Sequence, residues 1–287
     1  MTAPVAQAEP NDGPGGLGGA GGGPIASRSA PVSPRRAFLA VLGRDLFVTG
    51  REAPIFFAQV ILQPLFLLFV FGRILSELGY TKGGYAELLF PGIVALTATL
   101  TSLQSTAFPL VIEFSYTKEI EDRLLAPLPV AWVAVEKLIY AALRALIAAA
   151  VMFPVGILVL GSIPWRASAT PFMVLILVLG ALNGGALGLT LGTLVPPNRI
   201  NIMFALVLTP LLFTGCSQYP WPSLSRLAWF KWLTTLNPMT YISEGMRAAL
   251  VPKTPHMEPW ICVAMSLLFL VVFGTVGIRG FLRRAID

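Results

Sequence analysis

The sequence predicts an all-α integral membrane protein with six membrane-crossing helices. An amphipathic helix is expected on the membrane surface before the first span, and short re-entrant helices on the outer side between spans five and six. Three observations predict this. Only 12% of the 287 residues are charged, and 55% are hydrophobic; soluble domains carry about 25% charged residues. Six apolar stretches come near the ~20 residues a helix needs to cross the hydrocarbon: 54–71, 88–112, 138–160, 171–195, 200–214 and 260–278, the fifth and shortest being expected to continue through Cys216 to Tyr219. Finally, Gly180, Gly184, Gly188 and Gly192 stand four apart inside one apolar run. In water each interior glycine costs a helix roughly 0.5–1 kcal/mol relative to alanine. In a bilayer the same spacing makes a bare ridge for close helix packing. The alternative is a glycine-rich loop, and the uninterrupted Leu, Val and Ile around the glycines argue against it.

Residues 1–32 are rich in Gly, Pro and Ala. They bury too little apolar surface to offset chain entropy and are expected to form a disordered cytoplasmic tail. Residues 33–287 form the six-span domain. Its start, Ser33-Pro34-Arg35-Arg36, looks like a twin-arginine export signal, but Arg44 and Asp45 interrupt the apolar core such a signal needs. An interfacial helix fits better. At 100° per residue Arg36, Arg44 and Arg51 share a sector, with Phe38, Leu39, Leu42 and Leu46 opposite. Such a helix lies on an anionic leaflet. Pro54 marks the turn into the first span.

Lys and Arg set the orientation. With the N-terminus inside, eleven fall in inner segments and seven in outer ones, leaving aside Lys137 and Arg144 in the third span. Both termini are therefore expected in the cytoplasm of a multi-pass cell (inner) membrane protein. The same bias explains the net charge of +6 without a nucleic-acid partner. The partner surface is membrane lipid.

The last outer segment, 217–258, is long and half apolar. Trp221, Trp229, Trp232 and Trp260 place four indoles near one interface. Prolines break it into pieces, and Ser223 and Asn237 are candidate caps for helices ending near Thr234 and Ala249. Two short helices over about 220–250 dipping into the outer leaflet are expected; a small exposed domain is the alternative.

Catalytic chemistry is missing. No lysine follows a glycine anywhere in the chain, so it contains no phosphate-cradling Gly-x-x-x-x-Gly-Lys-Ser/Thr. With one histidine, His256, and two cysteines, Cys216 and Cys262, it offers no metal site. The cysteines are expected as buried free thiols. Ion-coupled transporters keep ionisable groups at mid-membrane depth. Here the deepest is Arg144, which can snorkel toward the cytoplasm. Polar uncharged residues do recur. Gln59 and Gln63 lie four apart in span one; Thr97, Thr101, Gln104 and Ser105 share a face of span two; Asn183 sits among the glycines. They either hydrogen-bond between helices or line a path for an amphipathic substrate. The Gln59/Gln63 and Thr97/Thr101/Gln104 faces are the candidate path.

Between spans two and three, Lys118, Glu119, Glu121, Asp122 and Arg123 run into Leu124, Leu125 and Leu128, with Pro127 and Pro129 ending the run. A short amphipathic helix over about 117–128, pressed on a protein partner, would use this pattern; an ordinary charged loop is the alternative. An acidic stretch followed by Leu124-Leu125-Ala126-Pro127-Leu128, with Lys137 at the next helix start, resembles the coupling region of type 2 ATP-binding-cassette (ABC) exporter permeases. Leu236-Asn237-Pro238-Met239-Thr240-Tyr241 with Glu244-Gly245 and Arg247 resembles the motif before that family's last span. The Gly-Thr often found ahead of the acidic helix is absent; Thr117-Lys118 stands near that place.

The resemblance covers residues from about 33 to the C-terminus, and it implies a permease domain without its own motor. Separate cytoplasmic ATPase subunits, using ATP and Mg, would dock on Lys118, Glu119, Glu121, Asp122, Arg123, Leu124, Leu125 and Pro127. A second permease, identical or paralogous, would complete the path for a drug, lipid or glycan-type cargo. This chain would bind no cofactor. A secondary transporter or channel is the alternative. A lipid-acting enzyme would have only Glu244, Arg247 and His256 to work with. Reversing the charges of Glu121 and Asp122 together is expected to release the ATPase subunit while membrane insertion is unchanged; unchanged co-purification would remove this segment from the docking surface.

Overall fold

A computed structural model describes residues 34–51, 53–80, 84–114 and 129–286. The expected tail (1–32) and the expected docking helix (117–128), from Lys118 to Pro127, lie outside the described residues. The described residues are helical and contain no strand. In chain order they form α1 (Pro34–Arg51), α2 (Ala53–Glu77, with a π-helical stretch at Leu68–Ile74), α3 (Tyr85–Ile112), α4 (Val130–Leu160), α5 (Thr170–Leu194), α6 (Ile200–Thr214), α7 (Ala228–Thr234), α8 (Pro238–Leu250) and α9 (Pro259–Ile286).

Among the described residues, five helices are long and apolar enough to cross a membrane: α2, α3, α4, α5 and α9. The expected fifth span is shorter than the six-span reading requires. α6 has 15 residues, about 22 Å at 1.5 Å each, against a hydrocarbon core of about 30 Å. It stops at Thr214 and does not run on to Tyr219. Gly215 closes it, and Cys216 takes a left-handed conformation at φ 50°, a region that non-glycine residues seldom enter. The expected helix capped by Ser223 is also corrected. Ser223 lies inside a separate 3-10 turn, Trp221–Arg226, and α7 begins after Leu227 with no side-chain cap. Asn237 does cap α8: its side chain accepts from the Met239 amide at 2.9 Å, and Pro238 fills the first helical position.

α3 and α5 form the centre. Of their apolar windows 83% and 72% are buried, against 17% for α9. The glycine ridge explains the contact. A Cβ at Gly184 would stand 2.2 Å from the Thr99 carbonyl oxygen, and one at Gly188 2.5 Å from that of Leu103. Gly192 faces Leu110 and Ala107, and Gly180 faces Ile242 of α8. Backbone therefore meets backbone at Gly184 and Gly188, and the flanking glycines admit neighbouring side chains. Lipid tails are as apolar as leucine, so this close dispersion contact, more than the hydrophobic effect, holds such helices together. Hydrogen bonds join α5 to α9: Asn183 Nδ2 donates to the Ser266 carbonyl at 3.0 Å and Thr190 Oγ1 to that of Phe273 at 2.9 Å. Between the two readings of Asn183, this geometry is helix-to-helix bonding.

α1 packs on the start of α4. Phe38 meets Trp132 edge to face at 5.9 Å, and Thr49 bonds the Tyr140 hydroxyl. Arg36, Arg44 and Arg51 are exposed and Phe38, Leu42 and Leu46 half-buried, whereas Leu39 is exposed.

A buried ion pair organises the segment after α6. Glu244 and Arg247 of α8 have fully buried side chains and bond each other. Glu244 also accepts from the amides of Trp221 (2.9 Å) and Met257 (2.8 Å), and Arg247 donates to the Cys216 carbonyl at 3.0 Å. One pair thus pins the turn after α6, the 3-10 turn and the approach to α9. Asn237 Nδ2 donates to the Leu211 carbonyl and to Thr214 Oγ1, holding the end of α6. Tyr241 adds a bond from its hydroxyl to the Thr235 carbonyl at 2.8 Å. Trp229, Trp232 and Trp260 are exposed, while Trp221 is packed with the Lys231 ammonium 3.9 Å from its ring centre.

Two substitutions test this packing. Gly184→Ala is expected to destabilise the detergent-solubilised protein by about 1–3 kcal/mol through overpacking; Gly274→Ala, which meets nothing within 4 Å, should leave the unfolding temperature unchanged or slightly raised. Equal lowering by both would contradict the backbone contact. Arg247→Met is expected to cost about 3–5 kcal/mol because it strands the Glu244 charge. Adding Glu244→Gln should recover part of that loss in a double-mutant cycle; purely additive losses would show the two residues uncoupled.

Candidate functional site

α2, α3 and α4 leave a cavity of about 360 Å³ between them. The helical period decides which side chains line it. Phe56, Gln59, Val60 and Gln63 recur every three or four residues on one face of α2. Thr97, Leu100, Thr101, Gln104 and Ser105 do the same on α3. Arg144 enters from α4. All five residues named for a substrate path therefore line one space, although they come from two helices 34 positions apart at the nearest, Gln63 and Thr97. Thr97 is satisfied within its own helix, donating to the Ile93 carbonyl at 2.9 Å. Gln59, Gln63 and Gln104 are exposed in this single chain.

Arg144 does more than snorkel. Its guanidinium lies 4.4 Å from the centre of the Phe56 ring and 5.7 Å from that of Tyr140. Its NH1 donates to the Tyr140 hydroxyl at 3.2 Å. Its Nε is buried and finds no hydrogen-bond partner among the described residues. The sequence reading missed Arg144 and Phe56 as lining residues. Depth was the available signal for Arg144, since an ionisable residue inside a span is itself a pointer to function. A phenylalanine carries no such mark.

A second cluster lies at the end of the bundle where α3 finishes. Lys137 Nζ stands 2.5 Å from Glu113 Oε1 and 3.9 Å from Asp45 Oδ2. Glu113 and Lys137 are buried, as is Glu136 beside them. The third span was expected to begin at residue 138. α4 begins eight positions earlier, at Val130, so Glu136 and Lys137 lie inside the helix. The third span thus starts earlier than expected and carries two buried ionisable residues in its first two turns. The cluster joins α1, α3 and α4, and Glu113 sits just before the 117–128 segment. A carboxylate at 113 and a lysine at 137 carry no local pattern linking them, which is why sequence reading did not pair them.

The outer motif residues Asn237, Pro238, Tyr241, Glu244 and Arg247 come together in α8 and its cap, about the buried ion pair. His256 stands apart from a catalytic arrangement: its Nδ1 is 2.9 Å from the Met257 carbonyl oxygen of its own neighbour. Cys216 and Cys262 are free and buried. Burial, and then the Glu244 charge, push the Cys216 thiol up to about 12, so it stays protonated and inert near neutral pH. No group of three or more His, Cys, Asp or Glu able to hold a metal ion occurs among the described residues.

The family model described as "ABC-2 type transporter" matches residues 36–251. The chain is also 26% identical over 257 residues to a Cyanophora paradoxa protein named as a transport permease, ycf38. That match covers 83% of this chain and 86% of the relative. A polar cavity walled by apolar spans, set beside an ion cluster at the bundle end, suits a transport subunit. The chain belongs to the ABC-2 type transporter family, whose members are multi-pass membrane permease subunits that associate with ATP-binding-cassette partners.

Proposed function

We propose that the protein is the permease of an ATP-driven exporter that borrows its motor from separate cytoplasmic ATPase subunits. The observation that carries this reading is that the cavity and the ion cluster share two elements, α3 and α4. The cavity is walled by α2, α3 and α4. The Asp45–Glu113–Lys137 cluster ties α1 to the ends of α3 and α4. In this reading the ATPase subunits dock on 117–128 and on α1, with both termini in the cytoplasm and the protein in the cell membrane. ATP and Mg are used by those subunits; this chain has no phosphate loop in its sequence.

Closure of the motor displaces α1 and the 117–128 segment. Glu113 and Lys137 transmit that displacement to α3 and α4, because a buried ion pair resists separation. Two walls of the cavity then move relative to α2. α7 and α8 dip into the outer leaflet, and a second permease faces the first across the path. The cargo is an amphipath of drug, lipid or glycan type.

A second reading has one observation in its favour. The buried Glu113–Lys137 pair places ionisable side chains within the bundle, where ion-driven transporters keep them. Purification separates the two. The tagged chain, extracted in mild detergent from its native membrane, is expected to retain an ATP-binding-cassette subunit identified by mass spectrometry. The complex should hydrolyse ATP. A chain recovered alone that moves a solute in liposomes on a pH or sodium difference would replace the exporter reading with the second.

A further inference from the structure

We infer that the cavity between α2, α3 and α4 takes the anionic head of an amphipathic substrate, a phosphate or a carboxylate, with Arg144 as its counter-charge. The inference rests on the exporter reading for the role of the site, and on the geometry alone for its ligand chemistry.

Arg144 lies about 21 Å along α4 from its start at 1.5 Å per residue, inside an apolar span. A cation at such depth is costly unless something compensates it. The buried cations of the described residues have carboxylate partners, Lys137 in Glu113 and Arg247 in Glu244, whereas Arg144 is half-buried beside the cavity. Arg144 makes no ion pair with a described residue. Its contacts are two aromatic rings and one neutral phenol. A guanidinium has five N–H donors; Tyr140 takes one, and the buried Nε is unpartnered. Donors are therefore left for a group that the chain does not supply.

The cavity wall indicates what that group is. Among the described residues no carboxylate lines it, so its one formal charge is positive. Gln59, Gln63, Gln104 and Thr101 surround that charge with neutral amides and a hydroxyl, which can donate to an oxyanion. Phe56 and Leu100 offer apolar surface beside them. The volume falls in the range of small-ligand sites, about 300–1,000 Å³. It holds a head group and the first carbons of a chain, and the planar guanidinium matches a phosphate or carboxylate edge.

The test measures binding, not transport. The purified chain in phosphatidylcholine nanodiscs is titrated with radiolabelled dodecyl phosphate, and empty discs are subtracted. Saturable binding is expected. Dodecyl maltoside and dodecyltrimethylammonium, which share the chain but not the charge, should fail to displace it. Inorganic phosphate should need at least a hundredfold higher concentration. Arg144→Gln should weaken binding at least tenfold, whereas Arg144→Lys should stay within a few-fold of the natural chain. Discs containing phosphatidylglycerol identify the source of the anion. Lowered binding points to a bilayer lipid head group and unchanged binding to a single-chain amphipath, and both support the anionic head.

The inference is overturned by displacement with the neutral or cationic probe, by inorganic phosphate binding as well as dodecyl phosphate, or by unaltered affinity in Arg144→Gln. The displacement series needs no variant, so a poorly folding substitution leaves the test intact. Unaltered affinity in a protein that still copurifies with its ATPase overturns this inference and leaves the exporter reading standing. Charge-selective binding by a chain with no ATPase partner does the reverse.

Discussion

The approach of α5 to α3 along four glycines is the contact on which the rest of the bundle depends. Apolar side chains gain little by leaving lipid for one another, so helices in a bilayer need another reason to associate. Here the reason is distance. With no Cβ at Gly184 and Gly188, the Thr99 and Leu103 carbonyls lie almost against the α5 backbone, and dispersion contacts multiply as the gap closes. Asn183 and Thr190 then use the opposite side of α5 to hold α9.

α3 divides its surface between two tasks because of its helical period. Thr99, Leu103, Thr106 and Leu110 meet the glycine ridge. Thr97, Thr101, Gln104 and Ser105 turn to the cavity. A helix rotates 100° per residue, so these two sets occupy opposite faces. One face is locked by close packing. The other is free to be polar, since it borders a space rather than lipid. A rigid wall and a recognition wall are thus the same helix, and a displacement of α3 would reach both.

Buried charge marks the two ends of the bundle. Near the end of α3, Lys137 bridges Glu113 and approaches Asp45. In the segment after α6, Glu244 and Arg247 gather backbone groups from three places in the chain. Such pairs add little net stability over apolar packing, yet breaking one partner is costly. Their consequence is definition of geometry. The Glu244–Arg247 pair holds Cys216 in a left-handed turn, which ends α6, and the Lys137 cluster fixes where α1 meets the bundle. Arg144 contrasts with both, since its neighbours are neutral and its surroundings include an open cavity.

The sequence by itself determined the class, the helix positions and the periodic faces, because these follow from local composition and from the 3.6-residue repeat. Low charge and long apolar runs located the spans within a few residues at most ends. The glycine spacing marked α5 as a packing helix, and the Asn237-Pro238 start of α8 was legible as a cap. The polar faces of α2 and α3 were readable one helix at a time. Their convergence was not, since no local pattern states that Gln63 faces Thr97. Only the tertiary structure decided that these faces enclose one cavity, that Arg144 borders it, and that Lys137 reaches Glu113. It also decided that α6 stops short at Thr214. The physical reason is common to all four: each depends on which non-adjacent segments touch, and contact between distant residues is fixed by packing and by pairing of buried charge, neither of which leaves a periodic trace in the chain.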